Sequence, residues 1–202
     1  MMRILSIIVV FFMMFFGVSQ MAAEPASDLV ITVESQVQQY LSENGYAVWY
    51  DAEKVMPAPN EYACDSFLPL DAEANPGVSF SVYEIGYTAA VTLPGGPGND
   101  PTVLNTPELE EVYSVEEALP ALVYALEQDG YTLQAEKNDL TPGDFGTAYA
   151  LYAKDGLCAA LYGAEFAAGA FLAVLTYPEE TADTWGVWLT NMAESLSAVF
   201  GT

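Results

Sequence analysis

The residues able to do chemistry in this chain are few in kind: 28 carboxylates, the cysteines Cys64 and Cys158, the lysines Lys54, Lys137 and Lys154, and no histidine. Without histidine there is no Ser-His-Asp or Cys-His catalysis, because each needs an imidazole to take the nucleophile's proton. Two cysteines alone do not complete the usual zinc sites either. A Ser-Lys pair at S-x-x-K spacing is missing around all three lysines. The glycine- and proline-rich stretch "TLPGGPGNDP", residues 92–101, has the look of an oxyanion loop. That chemistry also needs a G-x-S-x-G elbow and a histidine base, and the chain has neither. No lysine follows the glycines as a phosphate loop requires. The stretch is therefore read as a turn between a strand and the segment leading into the next helix.

Only carboxylate chemistry is left. "DAEANPG", residues 71–77, starts like a calcium loop, with Asp71, Glu73 and Asn75 at places one, three and five. Pro76 then stands where glycine is required, and Val82 where the bidentate glutamate belongs. A solvated acidic loop is expected, and no cofactor or metal residue is assigned. "TPELEEVYSVEEA" groups Glu108, Glu110, Glu111, Glu116 and Glu117. A hydrolase could pair two of them, but acids at a helix start already suit the helix dipole. Thirteen tyrosines and three tryptophans could line a sugar or lipid groove, yet aromatics on apolar stripes, such as Trp185 and Trp188, belong more readily to a core.

Charge narrows the partners. The formal net charge is −24, and the single arginine, Arg3, lies in the first residues. Nucleic-acid backbones and anionic membrane surfaces are excluded, because both are held by Lys and Arg. Solubility in a salty medium accounts for the acidity; basic partners and divalent cations stay compatible with it.

Residues 1–23 read as a secretory signal peptide: "MMR", then the apolar run 4–18, then "SQMAA". The run is short of the roughly 20 residues a spanning helix needs; an uncleaved N-terminal anchor is the alternative. Residues 24–202 then form a single domain, exported to the periplasm or beyond. In that compartment Cys64 and Cys158 are a disulfide candidate, closing a loop of about 95 residues worth on the order of 4 to 5 kcal/mol. Two buried thiols are the alternative.

The elements that must position these residues follow from periodicity. Leu29, Val33, Val37, Tyr40 and Leu41 predict a helix over 27–44, with Gly45 as its stop. Residues 46–50 read as a strand, 51–77 as irregular and 78–93 as strand. Ser114 and Glu117 form a capping box for a helix over 114–129, ended by Gly130. "YTLQAEK" is a strand. Asp155-Gly156 suits the two-residue turn of a hairpin over 146–164. Residues 169–177 are continuously apolar and read as a central strand. Trp185, Leu189, Met192, Leu196 and Val199 share one face of a final helix, with Thr181 as its cap. "QYLSENGYAVW" and "YALEQDGYTLQ" look alike, either as a duplicated helix–strand unit or as one good helix stop used twice. The order implies an α+β fold, a mainly antiparallel sheet with helices packed on it.

The stretch "FGTAYALYAKDGLCAALYGAEFAAGAFLAVLTYPEETADTWGVWLTNMAESL" runs from a hairpin through a "LTYP" strand into a helix ending in "SL". In this pattern residues 146–200 resemble the closing segment of the Mog1/PsbP-like group, which includes small exported bacterial proteins. The resemblance implies an α/β/α sandwich in a non-catalytic accessory role and carries over no functional residue. The expected function is an exported accessory or interaction protein of the cell envelope, binding a small ligand or a protein partner. The competing expectation is a carboxylate-based hydrolase or a calcium-dependent binding module.

Overall fold

The Asp155-Gly156 turn organises the centre of the molecule. Both residues have positive φ, 50° and 77°, as a two-residue primed turn requires. The turn sets Lys154 opposite Leu157 and joins β9 (Thr147–Lys154) to β10 (Leu157–Phe166). In the computed structural model, which describes residues 36–59, 64–86, 90–94, 101–105, 112–138, 147–166 and 169–199, β10 pairs in turn with β11 (Gly169–Pro178). Beyond β11 lie β5 (Ser79–Glu84), β4 (Cys64–Pro69) and β3 (Val55–Pro59); beyond β9 lies β8 (Thr132–Asn138). The result is a seven-stranded sheet in the order β3-β4-β5-β11-β10-β9-β8, with every neighbouring pair antiparallel. The apolar run 169–177 is its middle strand, as read from the sequence.

Strand alternation gives the sheet two apolar faces, and each has its own cover. One face presents Tyr83, Ala150, Tyr152, Leu161, Leu172 and Val174 to α1 (Val115–Gln128). A hairpin of β6 (Ala90–Leu93) and β7 (Thr102–Asn105) adds Val91, Leu93 and Leu104 to the same cluster. The other face presents Phe67, Phe80, Val82, Ala160, Phe171, Ala173 and Leu175 to α2 (Val187–Glu194) and to a second sheet. That second sheet has the order β1-β2-β12, formed by β1 (Val37–Leu41), β2 (Tyr46–Asp51) and β12 (Ser197–Ala198). Phe67, Phe80, Phe171, Leu161 and Leu175 are fully buried, each worth roughly 1.5 to 3 kcal/mol against exposure. The described residues belong to one compact unit, Ser35–Thr202, and the architecture is α+β with helices on both faces of an antiparallel sheet.

α1 follows its sequence signals closely. Ser114 caps it by accepting the Glu117 N–H at 3.3 Å, Glu116 and Glu117 occupy the first turn, and Gly130 follows with φ of 92°. Its first residue is seated on β10: the Val115 N–H donates to Glu165 Oε2 at 3.2 Å, and Gly163 lies directly beneath Val115. A methyl group at position 163 would overlap Val115 Cγ1.

Four expectations are corrected. The helix over 27–44 is absent where the residues are described: 37–41 are strand β1, and Gly45, with φ of 89°, serves the loop to β2. Of the proposed stripe, Val37 and Leu41 are about half exposed; Tyr40 is the one that turns inward, packing edge-on to Phe67 at 5.2 Å. The "irregular" 51–77 contains β3 and β4; Pro57 is tolerated because β3 is an edge strand. The final helix is shorter than read. A 3₁₀ turn (Glu179–Thr181) and a π-helical turn (Ala182–Gly186) precede α2, and Leu196 leaves the helix so that Ser197–Ala198 can pair with β2. Thr181 is not its cap: the hydroxyl donates to the Pro178 carbonyl at 2.8 Å. The two similar segments are no duplication, since one is strand–loop–strand and the other helix–strand; they share only a positive-φ glycine.

The Cys64–Cys158 disulfide is likewise not formed. Cys64 faces α1 from β4, whereas Cys158 faces α2 from β10. Three inter-strand steps along β4-β5-β11-β10, about 14 Å at the usual spacing, separate their strands, and the register sets Cys158 a further five residues along β10 from the position level with Cys64. Bridged Cα atoms lie within about 7 Å. Both thiols are free and buried.

Candidate functional site

The two faces of the sheet are not covered to the same extent. On the α1 face, cover reaches β9, where Ala148, Ala150 and Tyr152 are buried. On the α2 face it stops earlier. Phe171, Ala173, Leu175 and Tyr177 of β11 and Cys158 and Ala160 of β10 are buried. Tyr149, Leu151 and Ala153 of β9 are only partly buried, and Ala135 and Lys137 of β8 are exposed. α2 has eight residues and occupies the ground above β11, beside β2. Among the described residues nothing covers β9 and β8 on this face, a strip two strands wide beyond β10.

The open strip is a groove with a defined wall. Val187, Thr190, Asn191 and Glu194 recur at helical spacing on α2, on a different stripe from the buried Leu189, Met192 and Ala193. Thr190 and Glu194 meet Lys137, Thr147, Tyr149 and Tyr162 around a cavity of about 260 Å³. Val187, Thr190 and Asn191 meet Tyr149, Tyr177, Ala182 and Gly186 around another of about 280 Å³. Tyr149 and Thr190 border both, so the two hollows adjoin along α2. Cross-strand pairing explains the tyrosines: Lys137, Tyr149, Tyr162 and Ala173 stand in one row across β8, β9, β10 and β11. Burial raises the pKa of Tyr149, Tyr162 and Tyr177, with Thr147 acting as a hydrogen-bond partner that partly offsets this at Tyr162. All three are neutral near pH 7, acting as apolar plates with a hydroxyl at the tip.

The π-helical turn shapes the upper end of this groove. Gly186 rests on Tyr177: a Cβ there would stand 2.9 Å from the ring. Trp185 donates its indole N–H to Asn75 Oδ1 at 2.8 Å and packs edge-on to Trp188 at 5.7 Å. Trp185 and Trp188 thus pack, partly buried, against the core cluster on this face.

A second polar cluster lies on the same face at the far side of the sheet. Asp65, 7% exposed, accepts the hydroxyls of Tyr40 at 2.9 Å, Ser42 at 2.5 Å and Tyr46 at 2.6 Å. Tyr40 is pushed up to about 12, first by burial and then by its bond to Asp65; Tyr46 is raised further by the same causes. The donors come from β1, β2 and the loop between them, so the cluster ties the small sheet to the large one. Both carboxylate oxygens are engaged.

The residues singled out by sequence are dispersed. Asp71 and Asn75 satisfy their own turn, Asp71 Oδ1 accepting the Ala74 N–H and Asn75 Nδ2 donating to the Asp71 carbonyl. Glu116 and Glu117 are exposed in the first turn of α1; Glu108, Glu110 and Glu111 lie outside the described residues. The "GGPG" stretch also lies outside them, within the connection between the paired strands β6 and β7. The signal peptide, residues 1–23, is outside as well. Lys54 lies 4.0 Å from Asp51, and Lys154 makes a 2.9 Å ion pair with Asp129. Among the described residues, no three acids or cysteines gather to hold a metal, and no helix is long and apolar enough to cross a membrane. Asp65 and the groove tyrosines were not picked out from sequence.

No family model and no curated protein matches the chain. Among solved structures it is similar to the solution structure of cyanobacterial PsbP (CyanoP) from Synechocystis sp. PCC 6803. The superposition covers 87% of this chain and 99% of that one, with a TM-score of 0.52 and 12% identity. The resemblance read from residues 146–200 thus extends over most of the chain, and at this identity it is a likeness of fold: the chain has the PsbP-like fold.

Proposed function

We propose that the protein is a non-catalytic interaction protein that docks a partner in the groove between α2 and the uncovered strands β8 and β9. The observation that carries this reading is the unequal cover of the sheet. The same strand, β9, is buried on the α1 face and left partly bare on the α2 face, beside an unpartnered helical stripe. The groove's chemistry agrees. The two adjoining hollows form one elongated trough along α2, open along its length rather than closed into a single chamber. Tyrosine, threonine and asparagine with a few charges resemble the lining of a protein interface more than a reaction chamber. The buried carboxylate that a hydrolase would use, Asp65, is committed to three hydroxyls on the opposite side of the face. The PsbP-like fold supports the accessory reading, and the apolar leader supports export.

A photo-crosslinking residue placed at Tyr149 or Thr190, with Tyr124 on the exposed side of α1 as control, tests the reading. One adduct specific to the groove positions, re-formed with the purified partner, is the expected result. Equal labelling from Tyr124, or adducts lost when the partner is purified, overturns it.

A further inference from the structure

We propose that the groove takes one amphipathic helix of a partner protein, with basic residues flanking its apolar stripe. The inference deepens the reading above and rests on it.

Width is the first argument. Two strands of a sheet span about 9.5 Å, and packed helices lie 8 to 10 Å apart. α2 lies over β11, and β9 lies two inter-strand steps from β11, about 9.5 Å, so a helix laid along β9, with β8 as its outer rim, falls at packing distance from α2. It would complete on this face the cover that α1 and the β6–β7 hairpin give the other. The floor suits an apolar stripe: Ala135, Leu151 and Ala153 are small or aliphatic, and Tyr149 stands two residues from Leu151 on the same face of β9. The wall suits helix-on-helix contact, because Val187, Thr190, Asn191 and Glu194 present the spacing that ridges-into-grooves packing uses. Val187 is 55% exposed at the near end of that wall.

Charge is the second argument. The chain carries −24, and a basic segment is drawn to it while an acidic one is repelled. Within the groove the field has direction. Glu194 borders the hollow at the Lys137 end. Glu179 lies at the other end, beside the Asp155-Gly156 turn, where its N–H meets the Gly156 carbonyl and its charge acts on Cys158. Lys137 stands on the β8 rim across from Glu194. A guest helix is therefore oriented with its cations toward α2 and the two glutamates, and its neutral polar residues toward β8.

Four synthetic 18-residue peptides test this. All share one leucine-alanine stripe; their polar faces carry lysine, glutamine or glutamate, and the fourth is the lysine peptide with a central proline. Binding to the full chain is followed by fluorescence anisotropy, and the site by NMR shifts. Expected is a lysine peptide at least tenfold tighter than the glutamine one, no binding by the glutamate or proline peptides, and shifts confined to Tyr149, Leu151, Ala153, Val187 and Asn191. Glu194→Gln weakens the lysine peptide several-fold; Val187→Arg and Ala153→Arg block it, each checked for an unchanged fold. Tyr124→Ala leaves it unchanged. Equal binding by the proline peptide shows an extended guest and overturns the helix. Equal binding by the glutamine peptide overturns the basic chemistry. Shifts scattered over the surface show general attraction to an acidic protein and overturn both. A groove crosslink that persists when all four peptides fail leaves the docking function standing and rejects the helix alone.

Discussion

Each oxygen of the Asp65 carboxylate has a hydroxyl aimed at it, Tyr40 on one and Ser42 and Tyr46 on the other. Hydrogen bonds to an ionised group are worth about 1.5 to 3 kcal/mol, and a buried hydroxyl left without its acceptor costs about as much again. Asp65→Ala is therefore expected to lose about 3 kcal/mol or more in urea denaturation, and Tyr46→Phe about 1 to 2 kcal/mol. The same substitution bears on Tyr40, whose titration is pushed up to about 12 by burial and then by Asp65. In Asp65→Ala it should move part of the way back toward the ordinary 10, read by ultraviolet absorbance; an unmoved titration would show that burial acts alone. Nothing in the sequence could have marked Asp65, because its donors come from a hairpin whose first strand, by the spacing of Val33, Val37 and Tyr40, reads as helix. The groove is a contrasting case. A two-residue turn at Asp155-Gly156 sets Lys154 opposite Leu157 and, counting outward, Tyr149 opposite Tyr162, so that row was implicit in the hairpin. The cysteines give a third expectation at this scale. Both are buried, and burial pushes both thiols up, so neither is a ready thiolate. Intact mass after alkylation without reductant is expected to show none modified in the folded protein and two in the unfolded one. A native mass unchanged by denaturant would restore the bridge.

Elements whose local signals agree with their surroundings were legible, and those overruled by tertiary pairing were not. α1 has its Ser114 cap and its glycine stop as read, and Leu122 and Leu126 are buried together with Val115 and Ala118. β1 carries an equally good helical stripe, yet pairing with β2 decides it: Tyr40 opposite Val48 turns one face inward, and Val37 and Leu41 fall on the other. β3 and β4 were hidden by prolines, which an edge strand such as β3 accommodates because one side of its backbone makes no ladder bonds. The C-terminal helix was legible in type but not in length, because its last residues are taken by β2. The seat of α1 on the sheet offers a direct measurement. Gly163 is in extended strand, so alanine has no backbone penalty there, and the whole effect is the collision with Val115. Gly163→Ala is expected to cost about 1 to 3 kcal/mol, the usual range for overpacking. Combined with Val115→Ala it should cost clearly less than the two single changes added together, because the second change removes the atom struck. Simple additivity in a double-mutant cycle would mean that Gly163 matters for some reason other than close approach.

At the scale of the whole molecule, negative charge is what the fold leaves unneutralised. Against 28 carboxylates the described ion pairs are Lys54 with Asp51, at 4.0 Å, and Lys154 with Asp129, which also sets its ammonium 5.5 Å from the Tyr131 ring. Exposed pairs of this kind contribute about 0 to 1 kcal/mol each, far too little to offset the mutual repulsion of the rest. That repulsion opposes compaction, and it is long-ranged only while the Debye length is long. The Debye length is about 10 Å at 0.1 M salt and about 3 Å at 1 M, so molar salt removes most of the repulsion between neighbouring carboxylates. The melting temperature is therefore expected to rise clearly from low to molar sodium chloride. Calcium at millimolar concentration is expected to add nothing beyond its ionic strength, for a reason visible in the loop that most resembled a site. Asp71 Oδ1 already accepts the Ala74 N–H, and Asn75 Oδ1 already accepts the Trp185 indole at 2.8 Å. A calcium ion would have to break the bond that holds the π-helical turn above the groove. Thermal melts at low salt, at molar sodium chloride, and at millimolar calcium with matched ionic strength separate the two effects. A flat response to sodium chloride would mean that the carboxylates are spaced widely enough not to oppose folding, and a large shift with calcium alone would reveal a cation site and return the calcium-dependent module to first place.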